Sequence, residues 1–270
     1  MDAIGVFDSG IGGLSVLRHI HASLPYERLL YFADSGFAPY GDKTEDVIVA
    51  RSLAIAAFLV EQRIKALVVA CNTATAAAID ALRKRYPALA LVGVEPGLKP
   101  AAASSTSGIV GVLGTARTLS SVKFAALHAQ ISATTGVRFI AQPCVGLADQ
   151  IEKGELHSAA TTLRVRRYVE PLLAQGADTL VLGCTHYAFV QPLIEEVVRR
   201  MTSRPVTIVD TGEPVTRQLA RLLDARGLLC TDSGGSSIAA FTTGRENSLM
   251  HAFSTLLQLQ PAITRIDAQK

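Results

Sequence analysis

Apolar runs of strand length alternate with longer stretches of helical period along the whole chain. The runs lie at 3–7 (AIGVF), 28–33 (RLLYFA), 66–70 (ALVVA), 89–94 (LALVGV), 108–113 (GIVGVL), 137–141 (VRFIA), 179–183 (TLVLG), 206–210 (VTIVD) and 237–242 (SIAAFT). Nearly all are continuous rather than alternating, which predicts strands covered on both faces, with the helical stretches as crossovers of a parallel sheet. The predicted class is α/β.

Most runs end in a turn of small polar residues ahead of a predicted helix. Polar side chains therefore collect at the carboxyl ends of strands, where open α/β sheets bind ligands. Three junctions stand out: FDSGIGG after the first run, ACNTAT after the third and GCTHYA after the seventh. The order of elements before residue 90 also recurs after residue 107. GVFDSGIGGLSVL (5–17) lines up with GVLGTARTLSSV (111–122), and RLLYFADSGFAPYGDKTEDV (28–47) with VRFIAQPCVGLADQIEKGEL (137–156). KALVVACNTATAAAI (65–79) lines up with DTLVLGCTHYAFVQP (178–192), so that Cys71 and Cys184 fall at the same place in the two copies. This predicts two similar doubly wound domains with mainly parallel sheets, related by a pseudo-two-fold duplication, with the active site in the cleft between them. The expected domains are 1–97 together with 208–270, whose C-terminal segment returns to the first copy, and 98–207.

Composition narrows the chemistry. A chain of 270 residues, 49% of them hydrophobic, can bury the core of one large domain or two smaller ones. Its 26 Lys+Arg against 23 Asp+Glu leave only +3, and the basic runs RKRY (83–86) and RVRRY (164–168) read as solvated helix faces, so no nucleic-acid partner is expected. MDAIGVFDSG carries no secretory signal pattern and no apolar run approaches a membrane span, which predicts a cytoplasmic location and no membrane partner. The cysteines at 71, 144, 184 and 230 form no CxxC pair and are expected as free thiols. Cys184 and His186 without two further ligands make a poor metal signature, so no metal is expected.

Each matched cysteine ends a buried run immediately before a predicted helix, whose free N–H groups and positive dipole end lower a thiol pKa from about 8.5 toward neutrality. Two such thiols facing one small ligand suit proton exchange: one removes a proton from a carbon acid while the other donates to the opposite face. Helix N-termini and capping hydroxyls would hold a carboxylate. Asp8, Glu152 and His186 lie at equivalent junctions. Taken singly, Asp8 also reads as an Asx-turn, Glu152 as a solvated helix face and His186 as a partly buried imidazole, while Asn72, Thr73 and Thr185 read as helix caps. Cys184 with His186 also fits a cysteine hydrolase, which leaves Cys71 without a role, and a two-lobed binding protein for a small acid would need neither thiol. Nucleotide loops fit poorly: GIGGLS lacks the third glycine of GxGxxG, and in GFAPYGDKT the inserted Asp42 moves the lysine out of register.

The motifs FDSGIGGLSVL, ADSGFAPYGDKT, ACNTATA, GVEPGLKPA, GVLGT and LGCTHY, followed by IVDTGE, occur in an order and at spacings that resemble the glutamate racemases of the cofactor-independent aspartate/glutamate racemase superfamily. The resemblance runs from about residue 3 to residue 258. It implies an isomerase that interconverts L- and D-glutamate by two-base proton transfer with no cofactor, neither pyridoxal phosphate nor metal, supplying D-glutamate for bacterial peptidoglycan. Cys71 and Cys184 would be the paired acid and base. Asp8 would assist Cys71, and His186 and Glu152 would assist Cys184. Implied substrate contacts are Asp8, Ser9, Tyr40, Gly41, Asn72, Thr73, Thr115, Thr185 and His186. Relatives acting on aspartate keep the CNT and GCT motifs as well, whereas His186 and the DSGIGG and PYG loops favour glutamate. Gly97 in VEPGLKP departs from the alanine expected there, away from the chemistry. Relatives commonly form dimers, so the resemblance also allows a homodimer.

Overall fold

The computed structural model describes residues 2–231 and 237–267. The strand β1 (Ala3–Asp8) leads through α1 (Leu14–Ser23) to β2 (Leu29–Ala33), through α2 (Glu45–Glu61) to β3 (Ile64–Val69), and through α3 (Asn72–Arg85) to β4 (Ala90–Gly93). After α4 (Leu98–Ser104) the pattern returns with β5 (Ile109–Gly114), α5 (Ala116–Leu119), α6 (Val122–Thr135) and β6 (Arg138–Pro143). It continues with α7 (Leu147–Glu152), α8 (Ala159–Ala174), β7 (Thr179–Gly183), α9 (Gln191–Met201) and β8 (Thr207–Val209). The chain closes with α10 (Gly212–Ala225), β9 (Ile238–Thr242), α11 (Glu246–Leu257) and β10 (Ala262–Arg265). It divides into two compact units, residues 1–94 with 212–270, and residues 95–211. The boundary expected after residue 207 would cut β8, which pairs with β7; the division lies after Thr211 instead, and the earlier one after Val94 rather than residue 97.

Within the first unit the strand order is β10-β9-β2-β1-β3-β4, and within the second it is β6-β5-β7-β8, every pair parallel. The four-strand order β2-β1-β3-β4 therefore reappears as β6-β5-β7-β8. Register repeats too: Gly5, Val6 and Phe7 pair with Leu67, Val68 and Val69, as Gly111, Val112 and Leu113 pair with Leu180, Val181 and Leu182. One expectation shifts. Asp8 pairs with Ala33 and Gly114 with Pro143, so Ala33 corresponds to Pro143 rather than to Gln142. A slip of one residue exchanges the two faces of a strand, so the correction decides which side chains of β6 match those of β2.

Strands β1, β2 and β7 are buried at every position, as a parallel sheet covered on both faces requires. The edge strands differ. β6 alternates between exposed and more buried positions, and β8 and β10 are only half covered. β10 was not expected from the sequence: AITR is short and half polar, and its one strand partner is β9. At the end of β1 the backbone is packed so closely that a Cβ on Gly13 would lie 2.6 Å from the Asp8 Cβ and 3.0 Å from the Tyr31 hydroxyl. Only glycine lets the FDSGIGG loop lie against its own strand end.

The head of β7 holds the loop that follows α4 in the second unit. Asp178 accepts hydrogen bonds from Ser105 Oγ (2.6 Å), Thr106 N and Oγ1 (both 2.8 Å) and Ser107 N (2.6 Å). Burial disfavours its ionised form, but these donors win and hold the carboxyl far below the usual carboxylate range. A depressed folded pKa means stabilisation that is present above the ordinary Asp value of about 3.9 and is lost as pH falls through the folded value. Asp178→Ala should lower Tm at pH 7, with the gap to the unsubstituted chain narrowing below about pH 4 in thermal scans; a gap independent of pH would contradict the assignment.

Candidate active site

In the first unit the chain passes from β1 to β2 on one side and then crosses back to β3 on the other. The sheet thus has its switch point at the carboxyl ends of β1 and β3, where open α/β sheets leave a crevice. Asp8, fully buried, is the last residue of β1, and its Oδ1 accepts the Gly10 N–H at 2.9 Å. The Asx-turn reading is therefore correct as far as it goes. The Tyr31 hydroxyl donates to the Gly10 carbonyl at 2.7 Å and fixes the same loop from below. Cys71 follows β3 as the N-cap of α3; its sulfur accepts the Ala74 N–H at 3.4 Å and lies 3.6 Å from Ser9 Oγ.

Cys71 itself, not Asn72 or Thr73, caps α3. Asn72 and Thr73 form the first helical turn and are 4% and 3% exposed. Among the described residues neither Oδ1 nor Nδ2 of Asn72 has a hydrogen-bond partner. Buried amides are nearly always paired, so this one is set for a polar group that the described residues do not supply. Tyr40 and Gly41 lie in a 3₁₀ turn, Tyr40–Asp42, whose tyrosine hydroxyl donates to Asp34 Oδ2 at 2.6 Å. Burial and the Asp34 carboxylate push the Tyr40 pKa far up, so the phenol stays a neutral donor committed to Asp34. What the turn can offer a ligand is its main chain.

The second unit repeats the switch point at β5 and β7. Thr115 stands after β5, in the place of Ser9, and caps the short α5: its Oγ1 accepts the Thr118 N–H at 3.2 Å. Cys184 follows β7 as Cys71 follows β3, yet the expected helix does not begin there. Thr185–Val190 form a 3₁₀ turn, and α9 starts at Gln191. The reason is Pro192, which has no N–H to bond the carbonyl four residues back and is tolerated only in the first turn of a helix. Thr185, buried in that turn, is not an α-helix cap.

His186 lies between two partners. Its Nδ1 is 3.8 Å from the Cys184 sulfur and its Nε2 is 2.8 Å from Glu152 Oε2. Glu152 is the last residue of α7 and is 22% exposed, so it is no solvated helix face. The helix that carries it starts from Gly146, held at φ 74°, a left-handed conformation that favours glycine. Burial opposes a charged imidazole, but hydrogen bonds to Cys184 and Glu152 outweigh it and raise the His186 pKa well above its ordinary value. The four cysteines carry free thiols. Among the described residues no helix is long and apolar enough to cross a membrane.

A buried thiol thus stands at the same topological position in both units, beside a serine hydroxyl in the first and an imidazole in the second. Residues 4–234 match the family described as Asp/Glu/Hydantoin racemase. The chain belongs to this family. It is 55% identical over 228 residues to a glutamate racemase of Ectopseudomonas mendocina (strain ymp), covering 84% of each chain. Among solved structures it is similar to a glutamate racemase isoform from Bacillus anthracis, with TM-score 0.86, 31% identity and 98% and 97% of the two chains covered. It is also similar to Escherichia coli glutamate racemase in complex with L-glutamate and an activator, with TM-score 0.84, 28% identity and full coverage of both chains.

The structure brings Asp8, Ser9, Cys71, Asn72 and Thr73 together in the first unit, and Glu152, Cys184, Thr185 and His186 in the second. Asp34 and Arg51 lie outside the residues expected from the sequence. Asp34 carries the same sign as Asp8, an acidic residue just past the carboxyl end of a strand, and Arg51 is the one basic residue in the apolar helix α2. The Glu152 carboxylate is one of the groups that raise the His186 pKa, so Glu152→Gln should move the His186 titration midpoint down in an NMR titration. An unmoved midpoint would show that Glu152 does not act on the imidazole.

Proposed function

We propose that this chain interconverts L- and D-glutamate by two-base proton transfer, without pyridoxal phosphate or metal, with Cys71 and Cys184 acting on opposite faces of the α-carbon. The observation that carries the reading is the repetition of one buried thiol at one register position after β3 and after β7. In one direction the thiolate of one cysteine takes the α-hydrogen as a proton. The thiol of the other then gives its proton to the opposite face, and the negative charge ends on the second sulfur. Reversal exchanges the two roles.

The partners differ between the halves. Asp8 and Ser9 accompany Cys71, while His186 backed by Glu152 accompanies Cys184, where the imidazole would supply or hold a proton. The buried Asn72 amide, Thr73, Thr115, Thr185 and the main chain of Tyr40 and Gly41 are assigned to the carboxylates and ammonium group of glutamate. Support for glutamate comes from relatives named glutamate racemase, one of them holding L-glutamate, and from His186 after the GCT motif. Supply of D-glutamate for peptidoglycan, a cytoplasmic location and a homodimer belong to the same reading. A cysteine hydrolase built on Cys184, His186 and Glu152 would leave the matched thiol of Cys71 idle.

Either enantiomer of glutamate incubated with the protein in D2O should exchange its α-hydrogen for deuterium with no added cofactor, and the rotation of the solution should fall to zero. Aspartate and hydantoins run in parallel should exchange more slowly. Cys71→Ser and Cys184→Ser should each lower racemisation by about 10²–10⁴-fold or more with the fold intact by circular dichroism. Glutamate binding without exchange would sink the racemase reading, and full activity in either variant would sink the two-base scheme.

A further inference from the structure

Behind the Tyr40–Gly41 turn lies a saturated polar cluster that the reaction does not use directly. Asp34, just past β2 and fully buried, accepts Tyr40 Oη at 2.6 Å and Arg51 Nε at 3.0 Å on Oδ2. Its Oδ1 accepts Arg51 Nη2 and Thr243 Oγ1, both at 2.8 Å. The fork from Arg51 is bidentate, and four donors fill the four acceptor directions of one carboxylate. The four donors come from three pieces of the first unit: Tyr40 from the turn, Arg51, with two of them, from α2, and Thr243 from the position after β9.

The cluster grips the whole segment between β2 and the turn. Thr243 Oγ1 also accepts the Gly36 N–H at 3.0 Å, and the Arg51 guanidinium lies over the Phe37 ring, 3.8 Å from its centroid. Asp34 in turn donates its own N–H to the Asp8 carbonyl at 3.0 Å, so the cluster is joined by the main chain to the end of β1. Arg51 therefore does two things. It fixes the segment at Asp34 and at Phe37, and it cancels the Asp34 charge next to a site assigned to a substrate with two carboxylates. Left unpaired, a buried carboxylate there would be costly and would repel such a substrate.

We propose that Asp34, Arg51 and Thr243 are positioning residues that hold the Tyr40–Gly41 main chain for the substrate carboxylate and neutralise the charge behind it. The inference rests on the glutamate reading but concerns binding rather than proton transfer. Loss of the cluster should therefore raise KM with little change in kcat. It also makes the returning segment after β9 part of the substrate site, although no residue there belongs to a recognised motif of the sequence.

The test is a set of variants assayed for glutamate racemisation, with melting temperature recorded for each. Tyr40→Phe, which loses only the hydroxyl, should raise KM several-fold, and Arg51→Met should raise it by about tenfold or more, each with kcat within about threefold. In Asp34→Asn/Arg51→Met the uncompensated charge is gone, so KM should return to within about threefold of that of Asp34→Asn alone. Thr243→Ser should keep KM near its original value while Thr243→Val raises it. Should the charged-pair variants fail to fold, Tyr40→Phe and the Thr243 pair decide. Unchanged KM in Tyr40→Phe and Thr243→Val, a fall in kcat alone, or a strictly additive double variant would overturn the proposal. An unsubstituted chain that exchanges no α-hydrogen would instead refute the racemase reading.

Discussion

Parallel pairing of one central strand with neighbours on both sides is the constraint on which the rest of each unit depends. Parallel strands end at the same edge of a sheet, and each successive strand must be reached by a crossover over its face. With β1 flanked by β2 and β3, the crossovers leave to opposite sides, and the carboxyl ends of β1 and β3 are left at the switch point. Asp8 ends one of these strands with Ser9 just beyond it, and Cys71 follows the other. The same pairing of β5 with β6 and β7 sets Thr115 and Cys184. Gly13 serves this geometry, because a side chain there would push the loop off the strand end that carries Asp8.

Equal topology does not make the two thiols chemically equal. Cys71 caps a regular α-helix and has an amide N–H on its sulfur, with a serine hydroxyl nearby. Cys184 enters a 3₁₀ turn, because Pro192 delays the helix, and its neighbour is an imidazole hydrogen-bonded to a carboxylate. The two thiols therefore have different surroundings for a proton. The unequal partners follow from local differences after β3 and β7, while the shared position follows from the sheet.

Much of the fold was legible because continuous apolar runs are what doubly covered parallel strands require. All nine expected strands are present, and the repeat read from weakly similar segments reappears as repeated register. The exceptions lie at the edges. β10 is short and half polar, since an edge strand need not be buried, and β6 slides one residue from its expected match because its exposed alternation gives little pattern to align. In the candidate site, Cys71, Cys184, Asp8 and His186 were legible as polar interruptions after apolar runs. Asp34 stood in the same kind of place, but Arg51 and Thr243 carried no local sign of their common partner.

The sequence by itself determined the α/β class, the order of the strands along the chain, the matched cysteines and the family resemblance. Local patterns suffice there, since burial on both faces and turn chemistry are written residue by residue. Only the tertiary structure decided that Tyr40 spends its hydroxyl on Asp34, that the Asn72 amide is buried without a hydrogen-bond partner among the described residues, that Glu152 reaches His186, and that Thr243 joins a loop more than two hundred residues earlier in the chain. Those pairings depend on which strand ends become neighbours, and parallel strands with long crossovers bring together residues whose separation in sequence carries no trace of the contact.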